Sequence, residues 1–310
     1  MLNYLIYTAA GLILCPLLPG IINKVKAFFA GRKGPSIFQL YFDIFKLLQK
    51  EAVYSSTTGW IFRFAPVVNL CALTGALLLL GGPGCTYMPF SFTGNLILFV
   101  YLCGLARLFT VLGAMDTGSS FEGMGASREC EFAIISEGTI LAVFCGMLMI
   151  LQPGSFAIES FWKAGTGTVI WNRYTIELVL FAFAFFLVIL TESCRVPVDD
   201  PDTHLELTMI HEAMILDNSG PDLAMIHYAA ALKMWILFAL AGCFFLPFKW
   251  SECLSCNLPV LLLFISGGSV IVGIVESVMA RFRFKKLPQL LCGGFACALL
   301  GVILLILFKQ

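Results

Sequence analysis

The chain has 310 residues and carries 19 cationic and 19 acidic side chains, yet only 12% of it is charged and 59% is hydrophobic. A mean hydropathy of +0.93 excludes a soluble enzyme folded around one core, and zero net charge leaves no electrostatic footprint for nucleic acid. Apolar runs of about 20 residues recur, the length needed to cross a bilayer. Backbone polar groups in hydrocarbon must be satisfied within their own segment, so these spans are helices. The fold class is all-α: one polytopic membrane domain, 1–310, without a soluble module.

Eight transmembrane helices are expected, at about 2–22, 61–82, 95–115, 132–152, 177–194, 229–248, 257–280 and 287–308. The first lacks a basic leader and a small-residue cleavage site and is followed by basic residues, so it reads as a retained helix. The linkers 83–94, 153–176 and 249–256 are rich in Gly, Pro, Ser and Thr and hold few cations. The basic residues gather in or beside the other four connections: Lys24, Lys26, Arg32, Lys33, Lys46, Lys50, Arg63, Arg128, Arg195, Arg281, Arg283, Lys285 and Lys286. The positive-inside rule places those loops, about 23–60, 116–131, 195–228 and 281–286, in the cytoplasm, with both termini outside.

Within the first basic loop, Gly34-Pro35 breaks the chain and Ser36 is placed to start a helix over 37–51. Leu40, Ile44, Leu47 and Leu48 recur there at helical spacing, while Asp43, Lys46 and Lys50 lie elsewhere on the surface. Such a helix is amphipathic and too short to span. The second loop is glycine-rich, but Gly118, Gly123 and Gly125 have neither the spacing nor the preceding strand of a nucleotide-binding loop. Arg128, Glu129 and Glu131 make a charged entry to the fourth span.

The third loop, ESCRVPVDDPDTHLELTMIHEA (192–213), is the densest polar stretch of the chain. Pro197 and Pro201 push the residues before them to extended conformations. Thr203 to Glu206 then fits a capping box, with Asp202 just ahead. The new helix is expected to run to about Asp217, where Ser219-Gly220-Pro221 ends it. His204 and His211 lie seven residues apart, about 10 Å along a helix, too far to chelate one zinc.

Five ionisable residues fall within or at the edge of spans: Arg107, Glu137, Glu192, Lys233 and Glu276. At bilayer depth each costs about 2.5–3.5 kcal/mol, so they should face the bundle interior, pair, or line water. The expected topology puts all five in the cytoplasmic half. Glu192 and Lys233 sit at span edges, where an interfacial position and snorkelling are alternatives. Of the twelve cysteines, Cys71, Cys103, Cys145, Cys243, Cys292 and Cys297 lie inside apolar runs and act as small hydrophobes. The lone pair Cys253-x-x-Cys256 reads as structural thiols rather than a metal or redox site.

Several motifs occur together: RKGP at 32–35, D-x-x-K-L-x-x-K-E from Asp43 to Glu51, and GASR at 125–128 followed by Glu137. E-x-x-R-x-P-x-D-x-P runs from Glu192 to Pro201 and leads to Glu206-Leu207, and RFRF occupies 281–284. In these the chain resembles the family containing subunit 1 of respiratory complex I (NuoH) and the membrane subunit of energy-converting nickel–iron (NiFe) hydrogenases. The likeness touches every basic loop. Some positions depart from the quinone-reducing members: the connection after Gly34-Pro35 is shorter, Ile22-Asn23-Lys24 stands where Glu-Arg-Lys ends the first span, and His204 replaces a glutamate. The segment HLELTMIHEA with its DNSGP ending is most similar to the hydrogenase-4 and formate hydrogenlyase type.

That resemblance implies a membrane-anchor and coupling subunit with no redox centre or metal of its own. The NiFe centre and the iron–sulfur clusters are expected in partners: a hydrogenase large subunit and an iron–sulfur small subunit docked on the basic loops, with antiporter-like membrane subunits alongside in the lipid. Docking and coupling would fall to Arg32, Lys33, Asp43, Lys46, Lys50, Glu51, Arg128, Arg195, Asp202, His204, His211, Arg281 and Arg283. The proton or sodium path would use Glu137, Glu192, Glu276, Arg107 and Lys233, with Glu206, Glu212 and Asp199 at its loop end. Arg195 and Arg128 would anchor loop or partner carboxylates. The expected location is a prokaryotic cytoplasmic (inner) membrane. Two rival readings are a quinone-reducing complex I subunit and a stand-alone ion transporter.

Overall fold

The computed structural model describes residues 1–310 except 86–87, 153–154, 200–208, 249, 251–252 and 308–310. Among the described residues every regular element is a helix and there is no strand. Seven helices are long and apolar enough to cross a membrane: α4 (Trp60–Leu80), α5 (Asn95–Asp116), α6 (Ser120–Leu151), α9 (Thr175–Glu192), α11 (Gly220–Phe245), α12 (Leu254–Val278) and α13 (Leu287–Leu307). An eighth span is a bent pair, α1 (Leu2–Leu14) and α2 (Leu17–Phe29), meeting at 47°. The protein is therefore an integral membrane protein with multiple spans, as its hydropathy requires.

The bend in the first span follows from Pro16. Proline has no N–H to give to the carbonyl four residues back, here that of Leu12. The freed oxygens are taken up from outside the helix: the Tyr228 hydroxyl donates to Leu12 O at 2.7 Å, and the Tyr41 hydroxyl donates to Ile13 O. Tyr41 belongs to α3 (Gln39–Leu48), the short helix of the first loop. Leu40, Ile44 and Leu47 are half-buried against the bundle, whereas Phe38, Phe42, Phe45 and Leu48 are exposed. Its apolar surface is thus wider than the single stripe read from the sequence.

Three boundaries differ from expectation. The stretch 116–131 is not a loop: α6 starts at Ser120 and continues unbroken for 32 residues. A helical glycine costs only about 1 kcal/mol, and Gly125 gives something back. A β-carbon there would stand 2.9 Å from the Ile210 carbonyl and 3.0 Å from the Ala213 side chain, so the glycine lets the third loop lie against α6. Second, Ser219-Gly220-Pro221 does not stop a helix but starts α11, with Pro221 in the first turn where its missing N–H is harmless. Third, the third-loop helix does not extend continuously to Asp217. Its expected capping box lies outside the described residues. Met209 and Ile210 are non-helical and only α10 (His211–Met214) is a turn of helix. The Asp199 carboxylate accepts the N–H groups of Ile210 (3.2 Å) and His211 (3.0 Å), the donors a continuous helix would have turned back on its own carbonyls.

The bundle is organised around α11, whose alanines and glycine allow neighbours to approach it from most sides. It packs on α4, α9, α12 and α3, while α13 covers α6 and α9, and α12 lies along α2. The loops separate into two ends. At one, the Ser219 hydroxyl oxygen accepts from Val53 N at 2.9 Å, Tyr54 donates to Asp222 at 2.7 Å, and Asp116 accepts from Gly59 N at 2.8 Å. Phe282 N also donates to Pro197 O there, so the basic loops meet. At the other end lie two short helices, α7 (Ile158–Ala164) and α8 (Thr168–Arg173). There Trp162 donates to Leu80 O at 2.9 Å and Trp171 to Phe245 O at 3.0 Å, which joins the cation-poor linkers.

Candidate functional site

Arg107 lies on α5, about two and a half turns before that helix ends at the basic-loop face. A guanidinium at this depth needs anions, and three carboxylates converge on it. Its Nη1 donates to Glu137 Oε1 at 2.7 Å, its Nε stands 3.3 Å from Glu129 Oε1, and its Nη2 pairs with Glu192 Oε1. Glu129 and Glu137 are eight residues apart on α6, so both reach the same neighbour on α5. Glu192 is the last residue of α9. Its second oxygen accepts from Lys233 Nζ on α11 at 2.6 Å, and Ser136 Oγ donates to its first at 2.7 Å.

Four spans are thereby joined through five charges. Among the described residues two cations face three carboxylates, leaving one negative charge uncompensated when all are ionised. Glu192 is almost fully enclosed, its side chain 3% exposed, while the Glu137 side chain is 46% exposed. Lys233 does not reach out of the bundle as a snorkelling lysine would: it lies within α11, largely enclosed and paired with Glu192. The sequence marks Glu129 only as a charged entry to the span. Its role as an Arg107 partner becomes readable once α6 is known to be helical from Ser120.

Glu276 does not join this group. It is buried on α12, between Lys26 Nζ at 3.3 Å and Arg195 Nη1 at 3.5 Å. Arg195 thus meets a carboxylate from a spanning helix rather than from a loop. Asp199 forms a third centre: Arg281 Nη2 lies 2.6 Å from its Oδ1, and it holds the start of α10. Arg128 meets a backbone carbonyl, not a carboxylate; its Nη1 donates to Met209 O at 3.0 Å and its guanidinium lies 4.3 Å over the Phe284 ring. Arg32, Lys33, Lys46, Lys50, Glu51 and Arg283 are exposed at the basic end, and Asp43 is half-buried and accepts from Gln39. Asp202, His204 and Glu206 lie outside the described residues.

A series of cavities with shared wall residues lies between the Asp199 and Arg107 centres. Nearest the loops, a cavity of about 110 Å³ is lined by Arg195, Asp199, His211, Glu212 and His227. It shares Ser193, Cys194, His211 and Ala230 with a second, of about 50 Å³, lined by Arg107, Glu129, Glu192 and Lys233. Either has room for ordered water and several polar partners for it. Arg107, Glu137, Glu192 and Lys233 also border a smaller space of about 20 Å³. Glu137 reappears in a lateral apolar groove of about 800 Å³ between α5 and α6, beside Tyr101, Leu105 and Leu141. At the loop end, burial pushes the His211 imidazole below the usual histidine range, against the opposing pull of Glu212 and Asp199. Burial also drives the Cys194 thiol well above its ordinary value, so it stays protonated and inert. Among the described residues no three His, Cys, Asp or Glu side chains converge as metal ligands.

Comparison with known proteins agrees with this architecture. The family described as NADH dehydrogenase matches residues 2–307. Hydrogenase-4 component C of Escherichia coli is 34% identical over 299 residues, covering 94% of this chain and 91% of that protein. Formate hydrogenlyase subunit 4 of the same organism is 30% identical over 300 residues, 94% of each chain. An NADH-quinone oxidoreductase subunit of Anaplasma phagocytophilum is 26% identical over 86% of this chain and 84% of its own. In fold, the chain superposes with a TM-score of 0.77 and 20% identity, over 98% of both chains, on a chain in the structure of the membrane-bound sulfane sulfur reductase, an archaeal respiratory membrane complex. With a family match over nearly its full length, this protein belongs to the NADH dehydrogenase subunit 1 (NuoH) family, as a membrane subunit related to hydrogenase-4 component C and formate hydrogenlyase subunit 4.

Proposed function

We propose that the chain is the membrane-anchor and coupling subunit of a hydrogenase-4 or formate hydrogenlyase-like complex in a prokaryotic cytoplasmic membrane. The basic loop end would dock the NiFe large subunit and the iron–sulfur small subunit. The Arg107 cluster would link their redox chemistry to translocation of a proton or sodium ion. The observation that carries this reading is the series of neighbouring cavities, each bordered by charged side chains and sharing wall residues with the next, from Asp199 and His211 to Glu137. One carboxylate in excess gives the cluster a site that can take up and release a cation. The lateral groove at Glu137 supports a path leading sideways toward antiporter-like subunits rather than straight across the bundle.

Coupling in this scheme is electrostatic. A change of charge or hydration near Asp199 and Glu212 alters the field on Glu192, about one cavity away, and the shared Arg107 passes the change to Glu137. The test is Glu137→Gln in the assembled complex, measured in inverted membrane vesicles. Subunit assembly and hydrogen evolution should persist while the accompanying ion gradient is lost. An undiminished gradient from a fully assembled variant would reduce the chain to a passive anchor. Quinone-dependent, inhibitor-sensitive turnover would instead establish the quinone-reducing reading.

A further inference from the structure

Cys253 and Cys256 lie at the end of the bundle away from the basic loops, where no part of the proposed coupling path reaches. Cys253 is the N-cap residue of α12 and Cys256 lies one turn inside it; the backbone N–H of Cys256 donates to Cys253 O at 3.3 Å. Three residues along a helix rise about 4.5 Å and fall about 60° short of a full turn, which sets the Cα atoms about 5 Å apart. A disulfide spans Cα separations of about 4.4–6.8 Å. Both side chains are exposed, unlike Cys15, Cys85 and Cys243, which are packed in the core. Exposure leaves both sulfurs reachable from outside the bundle.

We infer that Cys253 and Cys256 form a redox-active dithiol that closes to a disulfide by exchange with a soluble disulfide on that face of the membrane. The attacking group is Cys253. Its side chain is exposed at the helix start, and the neighbouring backbone and thiol of Cys256 draw its pKa below the ordinary thiol value. The positive end of the α12 dipole acts in the same direction. The Cys253 thiolate attacks one sulfur of the external disulfide, forming a mixed disulfide and releasing one external thiolate. Cys256 then loses its proton and its sulfur attacks that of Cys253. The second external thiolate leaves and takes up the proton. Two protein thiols are oxidised and one external disulfide is reduced, so electrons and protons balance. Closure staples the first turn of α12, the helix that carries Glu276 at its far end.

The test uses washed native membranes equilibrated in a series of reduced-to-oxidised glutathione ratios, then quenched with an alkylating reagent and digested. The fragment carrying both cysteines should pass from doubly alkylated to unalkylated and lighter by two hydrogens. The transition should follow a two-electron slope of about 30 mV per tenfold change in the equilibrium ratio. Cys256→Ser should arrest the reaction as a glutathione adduct on Cys253. A wild-type fragment that remains in one state across the whole series, or that accumulates only glutathione adducts, overturns the inference.

Discussion

Replacing Arg107 with methionine tests whether the charge cluster is an ion-paired unit. The substitution keeps an unbranched side chain but removes the one group that touches Glu129, Glu137 and Glu192. Glu192 retains Lys233 and Ser136, whereas Glu129 and Glu137 lose the cation that pairs with them among the described residues. Removing one partner of a buried pair costs about 3–5 kcal/mol, because the other charge is left in a poor solvent. The exposure of Glu137 places its share at the low end, and the enclosed Glu129 supplies most of the loss. At about 2 °C per kcal/mol for a chain of this size, the unfolding midpoint should fall by roughly 6–10 °C. The assay is heat challenge of detergent-solubilised protein, scored by the folded fraction on size exclusion at about pH 8 and about pH 5.5, on either side of the usual histidine range. Acid should recover part of the deficit, since protonation discharges an unpaired carboxylate; Glu129→Gln combined with Arg107→Met should recover part of it under the alkaline condition. A variant as stable as the parent under that condition would refute the reasoning, because the carboxylates would then be neutral already or solvated by other means.

Gly125→Val should displace the third loop from α6, since a β-carbon meets the Ile210 carbonyl at 2.9 Å; faster proteolysis at 209–218 with the remaining spans intact is the expected readout. Tyr228→Phe strips the Leu12 carbonyl of its 2.7 Å donor at the Pro16 break and should cost about 1 kcal/mol. An unchanged unfolding midpoint would mean that another donor satisfies that oxygen. His211 is held neutral by burial, so its contribution to stability is present above its unfolded value of about 6.5 and is lost as pH falls through the lower folded value. The excess loss of stability between about pH 7.5 and about pH 5.5 should therefore be smaller in His211→Asn than in the parent chain.

The end of the bundle at which each loop lies is legible in the sequence. The reason is local: the counts of lysine and arginine differ sharply between alternate connections, and hydrocarbon forces each apolar run into a helix. The same logic singles out Arg107, Glu137, Glu192, Lys233 and Glu276, because a charge in an apolar run is anomalous wherever its partner lies. What misleads is punctuation. Gly123 and Gly125 suggest a loop, and Ser219-Gly220-Pro221 suggests a stop. Glycine in a helix has a modest penalty, and proline serves a helix start as well as an end, so neighbours decide. At Gly125 the neighbour is the Ile210 carbonyl; at Gly220 it is the Glu51 carbonyl, which a β-carbon would approach to 2.7 Å.

The sequence alone determined that the protein is an all-helical membrane bundle with its basic loops on one face, and that a few spans hide charges. Both are properties of single segments in contact with lipid or water. Only the tertiary structure decided which charges belong together. Arg107 gathers Glu129, Glu137 and Glu192 from two other helices, while Glu276, equally anomalous in sequence, pairs instead with Lys26 and Arg195. Ion pairs in a low-dielectric interior depend on distances of about 3 to 4 Å between helices far apart in the chain. No pattern within one span encodes those distances; they are fixed by how α5, α6, α9 and α11 pack.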